Sequence, residues 1–349
     1  MKAITFHQPG GPEVLCYEEI EDPIPGPGMV LVRVQACALN HLDLIVRGRG
    51  PAAGLPLPHI AGADAAGIVA GLGPGVADVA LGAAVALNPA LSCGACPYCR
   101  AGEQSLCEHF GILGRDARGA MAEFVVVPAA NLYPLPVDLS FVQAAAAPLV
   151  NMTAWRMLIT KAQLCPGERV LIVGAGGGVA TAAIQIAKLA GGIVYASTGG
   201  PEKARRAREI GADQVVDYRS ADVVSAIMDM TGGEGVDVVV DSVGGATWEA
   251  SLCCLSKGGR LVTCGATTAP IAPMDIRFMW RKQISLHGST MANQHEFTTV
   301  MGLLAAGKLH PVVDRVFPLS QARDAEIYLE SAHQFGKVVL EVEGAAPVR

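Results

Sequence analysis

The stretch Val170-Leu171-Ile172-Val173-Gly174-Ala175-Gly176-Gly177-Gly178-Val179-Ala180 decides the architecture. Four branched apolar residues in a row suit a strand buried on both faces. The glycines that follow suit a tight turn, and after them Val179, Ala182, Ala183, Ile186 and Ala190 recur at the 3.6-residue period of a helix. Strand, glycine turn and helix together form a phosphate cradle, because bare N–H groups at a helix N-terminus attract anions and glycine lets a pyrophosphate approach them. In the dinucleotide fingerprint the glycine triplet maps onto Ala175, Gly177 and Ala180, with Gly178 and Val179 in the same turn. The uncharged run 170–187 has the length of a membrane span, but the glycines cut it in two.

Outward from this turn, short apolar strands alternate with helices. Strands are predicted at 169–173, 193–197, 214–217, 236–240 and 260–264, and helices at 177–190, 201–210, 220–230 and 247–255. That rhythm predicts an α/β fold, a Rossmann doubly wound parallel sheet. Before residue 150 the pattern changes to alternating strands such as 30–34 and 124–127 and to breakers such as Pro23-Ile24-Pro25-Gly26-Pro27-Gly28, a separate β-rich domain. The expected division is 1–152, then 153–290 for the dinucleotide-binding domain. The segment 291–349, with a helix at 296–306 and a strand at 337–342, is expected to return to the first domain.

Composition narrows the class. With 349 residues, 51% hydrophobic, the chain can bury two cores, and a net charge of −6 with scattered basic residues offers no footprint for nucleic acid or an anionic membrane. The N-terminus lacks the apolar core of a secretory signal, so a cytoplasmic location is expected. Ten cysteines there argue against a disulfide framework.

Four of them, Cys93, Cys96, Cys99 and Cys107, share one short window, residues 93–107. That spacing suits a closed tetrahedral structural zinc site, with an iron–sulfur cluster as the competing thiolate chemistry. The cofactor reading turns on the end of the second strand, Ser197-Thr198-Gly199-Gly200. An NAD site places a carboxylate there for the ribose 2′-hydroxyl, whereas hydroxyls followed by Lys203, Arg205 and Arg206 favour NADP(H) over NAD(H).

These motifs, with Gly10-Gly11-Pro12-Glu13-Val14-Leu15, Ala36-Cys37-Ala38-Leu39-Asn40-His41-Leu42-Asp43 and Thr153-Ala154-Trp155, resemble the medium-chain dehydrogenase/reductase superfamily of zinc alcohol dehydrogenases and quinone oxidoreductases. The resemblance spans nearly the whole chain. It implies a GroES-like catalytic domain, a Rossmann domain, hydride transfer from the nicotinamide to a small molecule, a structural zinc in the cysteine lobe, and a homodimer or homotetramer. It also implies cofactor contacts at Thr153, Lys203, Tyr218, Val243, Gly265 and Ser289. Zinc-using relatives place catalytic ligands where this chain has Asn40, Ala63 and a position near Leu149, and none of these replaces the ligand well. The expectation is therefore a reductase of activated carbonyls, enones or quinones without catalytic zinc. Asn40 would polarise the acceptor oxygen, His41 is the candidate proton donor, and Asp43 and Asp64 would orient donors or shape the cleft. The rivals are an alcohol dehydrogenase with an atypical zinc set among Cys37, His41, His59 and Asp64, and a nucleotide-binding regulatory protein without turnover.

Overall fold

The computed structural model describes residues 1–52 and 55–342. It separates into two units, Met1–Leu149 with Asn293–Arg349, and Val150–Ala292.

The second unit is built on a six-stranded parallel sheet. Its spatial order is Gln214–Asp217, Ile193–Thr198, Arg169–Val173, Val236–Val240, Leu255–Thr263 and Ser285–Gly288. This is the doubly wound 3-2-1-4-5-6 order, in which the first strand lies at the point where the winding reverses. Val170, Leu171 and Ile172 are wholly buried, as a central parallel strand requires. The helix Gly178–Leu189 buries more than the expected stripe: Ala180, Thr181, Ile184 and Ala187 are covered as well as Ala182, Ala183 and Ile186, while Val179 and Ala190 are only partly so. Small residues over most of its circumference let the sheet and the neighbouring chain close on it from several sides. The strand expected from residue 260 begins at Leu255, because residues Leu255 to Arg260 continue the pairing with Val236–Val240 through a bulge.

The first unit is antiparallel in the main. Its seven-stranded sheet runs Val313–Pro318, Lys337–Glu341, Met29–Ala38, Asp64–Leu72, Ala84–Leu87 and Leu132–Pro134, with Phe124–Pro128 also paired to Met29–Ala38. Alternate residues Val30, Val32 and Val34 are buried with Val125, Val127, Val338 and Leu340 in one core. Sequence periodicity missed the strand Val313–Pro318 and the helices His41–Arg49 and Ala322–Glu330, which are short and interrupted by charge.

Those two helices are pinned by a buried ion pair. The Arg47 guanidinium donates to Glu326 and to Glu330, and the Arg47 and Glu326 side chains are almost entirely buried. Burial pushes the Glu326 carboxyl up to about 7, against the pull of Arg47, and its Oε1 has no hydrogen-bond partner. A carboxyl that holds its proton more tightly when folded loses its stabilising contribution as pH rises from its unfolded value near 4.5 through about 7. Glu326→Gln removes that titration, so its stability relative to wild type should improve by on the order of 2 kcal/mol from pH 4.5 to 7. Denaturant melts across that range check this, and parallel profiles would refute it.

Candidate active site

The register of three strands gathers a polar knot in the first unit. Ala38 lies opposite Val339 on one side and opposite Asp64 on the other, so Lys337 falls across from Asn40, just beyond the last paired residues. Two glycines make this possible. Gly62 has φ +103°, and a β-carbon there would lie 2.8 Å from the Met121 nitrogen and 3.0 Å from Cys37 Sγ. Gly336 has φ +104°, and a β-carbon there would lie 2.2 Å from the Val312 carbonyl oxygen.

Lys337 Nζ donates to Asn40 Oδ1 at 2.6 Å and to Asp64 Oδ2 at 3.0 Å. Asn40 Nδ2 donates to Asp64 Oδ2 at 3.0 Å and to the Ala38 carbonyl at 3.3 Å. The Leu149 N–H donates to Asp64 Oδ1 at 2.8 Å. Relative exposures of 7% for Asn40, 0% for Asp64 and 3% for Lys337 put the charges out of bulk water, so each depends on these partners. Asn40 is also the N-cap of the helix His41–Arg49, but its backbone does the capping: the Asp43 carboxylate accepts from the Asn40 N–H at 2.7 Å and from Gly62 N–H at 3.0 Å. Burial raises the Asp43 carboxyl to about 6, although those two N–H groups and Lys337 oppose it.

Asn40 and Asp64 thus meet directly, and His41 lies within electrostatic reach of Lys337. The His41 ring is exposed on one side, yet desolvation by the surrounding chain, and then the Lys337 charge, lower its pKa. The two amide protons of Asn40 already have acceptors inside the unit, which places Asn40 as a clamp on Asp64 and Lys337 rather than as the donor to an acceptor oxygen. His59 is buried, bonded through Nε2 to the Gly114 carbonyl at 2.9 Å and packed edge-on against Phe6. Burial pushes the Cys37 thiol well up. Lys337, 297 residues from Asn40, was not foreseen, and no local signal marked it.

The second unit carries the residues expected to contact a cofactor. Gly178, Val179 and the residues before them open the helix at an N-terminus capped by Gly177 without any side chain. Ala175 is buried, its N–H donating to the Ser197 carbonyl at 2.8 Å. Ser197 and Thr198 are buried, Tyr218 is exposed, and a β-carbon on Gly199 would come within 2.6 Å of Tyr218 Oη and 3.0 Å of Arg219 Nε. Arg219, exposed beside this glycine pair, was missed in the sequence. Arg205 is taken up by Glu202 and Glu209 on the surface of its own helix, and Lys203 is half-buried on the same helix. Asp217 accepts from the Gly200 and Arg219 N–H groups at 2.9 and 3.0 Å, which lower its pKa.

Thr153, on a helix, is buried with its hydroxyl 4.0 Å from Met291 Sδ; past the strand ends Gly265 is exposed, and Ser289 Oγ is buried without a hydrogen-bond partner. An orphaned buried hydroxyl and an uncapped helix N-terminus fit a polar phosphate-bearing cofactor. Val243 is held by Asp241, a wholly buried carboxylate that accepts from the N–H groups of Val243 and Gly244 and from the hydroxyls of Thr247 and Ser251 at 2.7–3.0 Å.

In the cysteine lobe the Sγ atoms of Cys93, Cys96, Cys99 and Cys107 all lie within 4.8 Å of one another, and among the described residues no other set of three or more metal-ligating side chains converges so. A zinc with Zn–S bonds of about 2.3 Å needs sulfurs roughly 3.8 Å apart. The separations of 4.0 Å for Cys93–Cys99 and 3.5 Å for Cys93–Cys107 are close to that. The N–H groups of Cys93 and His109 point at Cys107 Sγ and that of Cys96 at Cys93 Sγ, at 3.3–3.4 Å, as thiolates require. The donor set fits a structural metal.

A doubly wound sheet with a bare glycine turn, in a chain that also builds an antiparallel unit with a four-cysteine lobe, is the layout expected of a dehydrogenase. The chain matches the family "Alcohol dehydrogenase GroES-like domain" over residues 26–137 and "Zinc-binding dehydrogenase" over residues 178–306. It belongs to the medium-chain dehydrogenase/reductase family and is an oxidoreductase of that family. It is 35% identical to an NAD-dependent alcohol dehydrogenase of Sulfurisphaera tokodaii, over 97% of this chain and 99% of that one. It is 31% identical to a quinone oxidoreductase of Salmonella typhimurium, over 97% and 98%. A crystal structure of an NAD-dependent alcohol dehydrogenase superposes with a TM-score of 0.95 at 44% identity, covering 98% of this chain and all of the other. No helix among the described residues is long and apolar enough to cross a membrane.

Asp241 yields a direct test. Asp241→Ala would strand three donors, the Val243 and Gly244 N–H groups and the Ser251 hydroxyl, while Thr247 keeps the Gly244 carbonyl, so stability should drop by about 3 kcal/mol or more and nicotinamide-cofactor affinity should weaken with it. Denaturant melts and fluorescence titration measure both, and an unchanged affinity would show that the loop around Val243 takes no part in binding.

Proposed function

We propose that the protein is an NADPH-dependent reductase of activated carbonyl, enone or quinone compounds, with one structural zinc on Cys93, Cys96, Cys99 and Cys107 and no catalytic zinc. The observation that carries this reading is the knot of Asn40, Asp64 and Lys337: Asn40, at a position where the resemblance puts a zinc ligand, is bound instead to Asp64 and Lys337. When bound, the reduced nicotinamide supplies a hydride to the acceptor carbon, and a proton from water completes the reduced product. The first unit's role is to present fixed polar groups to the acceptor oxygen as charge gathers there. An alcohol dehydrogenase using an atypical zinc set among Cys37, His41, His59 and Asp64 is less well supported, because His59 Nε2 is bonded to the Gly114 carbonyl and Asp64 is taken up by Lys337, Asn40 and the Leu149 N–H. NADPH oxidation with a panel of quinones, enones and aldehydes tests the reading. Turnover that survives removal of all but the lobe metal supports it. Cofactor binding without turnover would leave the regulatory alternative.

The NADP preference rests on the absence of an acidic side chain within Ser197-Thr198-Gly199-Gly200 and on the cations Arg219 and Lys203 nearby. The neighbouring Asp217 carboxylate is occupied by backbone N–H groups. Relatives named NAD-dependent pull the other way, so titration decides: NADPH should bind more tightly than NADH, and Thr198→Asp should invert the order. Equal affinities in wild type would remove the electrostatic basis of the preference.

For the metal, purified protein should hold close to one zinc per chain, and Cys93→Ser should lower metal content and thermal stability together. A second zinc whose selective removal abolishes turnover would instead establish the alcohol dehydrogenase reading. A homodimer or homotetramer is proposed on the exposed apolar residues Ile271, Ile276 and Trp280 near the open edge strand Ser285–Gly288 of the second unit, and a cytoplasmic location on thiols that form no disulfide.

A further inference from the structure

We propose that Lys337 is the electrophile of this protein: its ammonium, clamped by Asn40 Oδ1 and Asp64 Oδ2, donates its remaining N–H to the acceptor oxygen and so does the work that a catalytic zinc does in relatives. The inference rests on the reductase reading above and adds the group that polarises the acceptor.

An ammonium has three N–H donors and no acceptor. Two of them are taken, by Asn40 at 2.6 Å and Asp64 at 3.0 Å, and the third has no acceptor among the described residues. The alternatives nearby are worse placed. Both amide protons of Asn40 are engaged, by Asp64 and by the Ala38 carbonyl. Asp43 and Asp64 are acceptors, and both are bound by N–H groups. His41 is held below its ordinary pKa, first by desolvation and then by Lys337 itself, which disfavours its cation. Lys337 is therefore the one fixed cation of the knot. Residues at or beside the positions where the resemblance puts metal ligands meet in this knot. Asn40 grips the ammonium directly, the residue after Ala63 is its counter-ion Asp64, and the Leu149 N–H steadies that counter-ion from the other oxygen. A buried cation held at both ends is preorganised to meet an oxygen on which negative charge develops.

In the reduction, the hydride pair forms a C–H bond at the acceptor carbon, the π pair moves onto oxygen, and the nicotinamide leaves oxidised. Lys337 stabilises that oxygen by hydrogen bonding and keeps its own proton overall, water supplying the one that remains in the product.

The test must separate catalysis from folding, because Lys337→Met alone strands a buried carboxylate. The paired variant Lys337→Met with Asp64→Asn removes both charges, and Lys337→Arg keeps the cation. With cofactor affinity within twofold of wild type, the paired variant should lose about 100-fold or more in kcat on the best acceptor of the panel, and Lys337→Arg should lose less. A folded paired variant with kcat within threefold of wild type overturns the proposal. A second readout does not need turnover. Acetophenone labelled with carbon-13 at the carbonyl, bound to the protein loaded with oxidised cofactor, should show a lowered C=O stretching frequency in wild type and a frequency near that in water-free solvent in the paired variant. An equal frequency in both proteins, or no bound signal in wild type, overturns the proposal. If no acceptor of the panel supports NADPH oxidation by wild type, the reductase reading fails, and the vibrational comparison still decides whether Lys337 meets a carbonyl.

Discussion

The first unit is organised around one buried ion pair, Lys337 with Asp64, set across three adjacent strands. Two charges at 3% and 0% side-chain exposure lose their hydration, and they persist in the interior only if other groups replace the water. Here the replacements are specific. Asn40 gives its carbonyl oxygen to the ammonium and its amide to the carboxylate, and Leu149 supplies a backbone N–H to the second carboxylate oxygen. Because Asn40 also begins a helix, the same contact fixes where that helix starts relative to the sheet. Asp43 completes the arrangement by holding both the Asn40 and the Gly62 N–H groups, so the loop ending at Asp64 and the helix beginning at His41 cannot shift independently.

Such an arrangement is invisible from composition or periodicity. Local signals carried the rest well: the run Val170 to Val173, the glycines and the repeated βα rhythm were enough to place the second unit's first five strands, and the cysteine window contained all four members of its cluster within fifteen residues of sequence. Both are cases in which neighbours in sequence are neighbours in space. The knot is the opposite case. Lys337 and Asn40 are 297 residues apart and meet because Val339 is registered against Ala38, a consequence of strand pairing that no window of residues reveals. In the sequence Asn40 stands where a ligand is expected and Asp64 reads as an orienting acid, but no local signal points to Lys337 as their common partner.

The same distinction explains the smaller discrepancies. Val313–Pro318 carries Asp314 and Arg315 inside a strand, which breaks the apolar alternation, and its pairing with Lys337–Glu341 supplies what its own sequence lacks. Arg219 lies one residue past Tyr218 and reads as loop charge until the fold brings it against Gly199 and Gly200, two strands' turns meeting at one rim of the second unit's sheet. Asp241 looks like an ordinary strand-end acid. Its four donors make it the anchor of the loop that carries Val243.

The proposed use of an ammonium in place of a metal would also constrain the chemistry. A zinc with an open position accepts an oxygen directly into its coordination shell and lowers the pKa of a bound hydroxyl, which is what makes an unactivated alcohol give up its proton near neutrality. An ammonium offers a single positive charge and a hydrogen bond, and its partner Asp64 offsets part of that charge at 3.0 Å. The stabilisation available to a developing alkoxide is correspondingly smaller. Quinones and conjugated enones spread the incoming negative charge over a π system, so they need less from the protein at any one oxygen. On the proposed reading the weaker electrophile and the activated acceptor belong together.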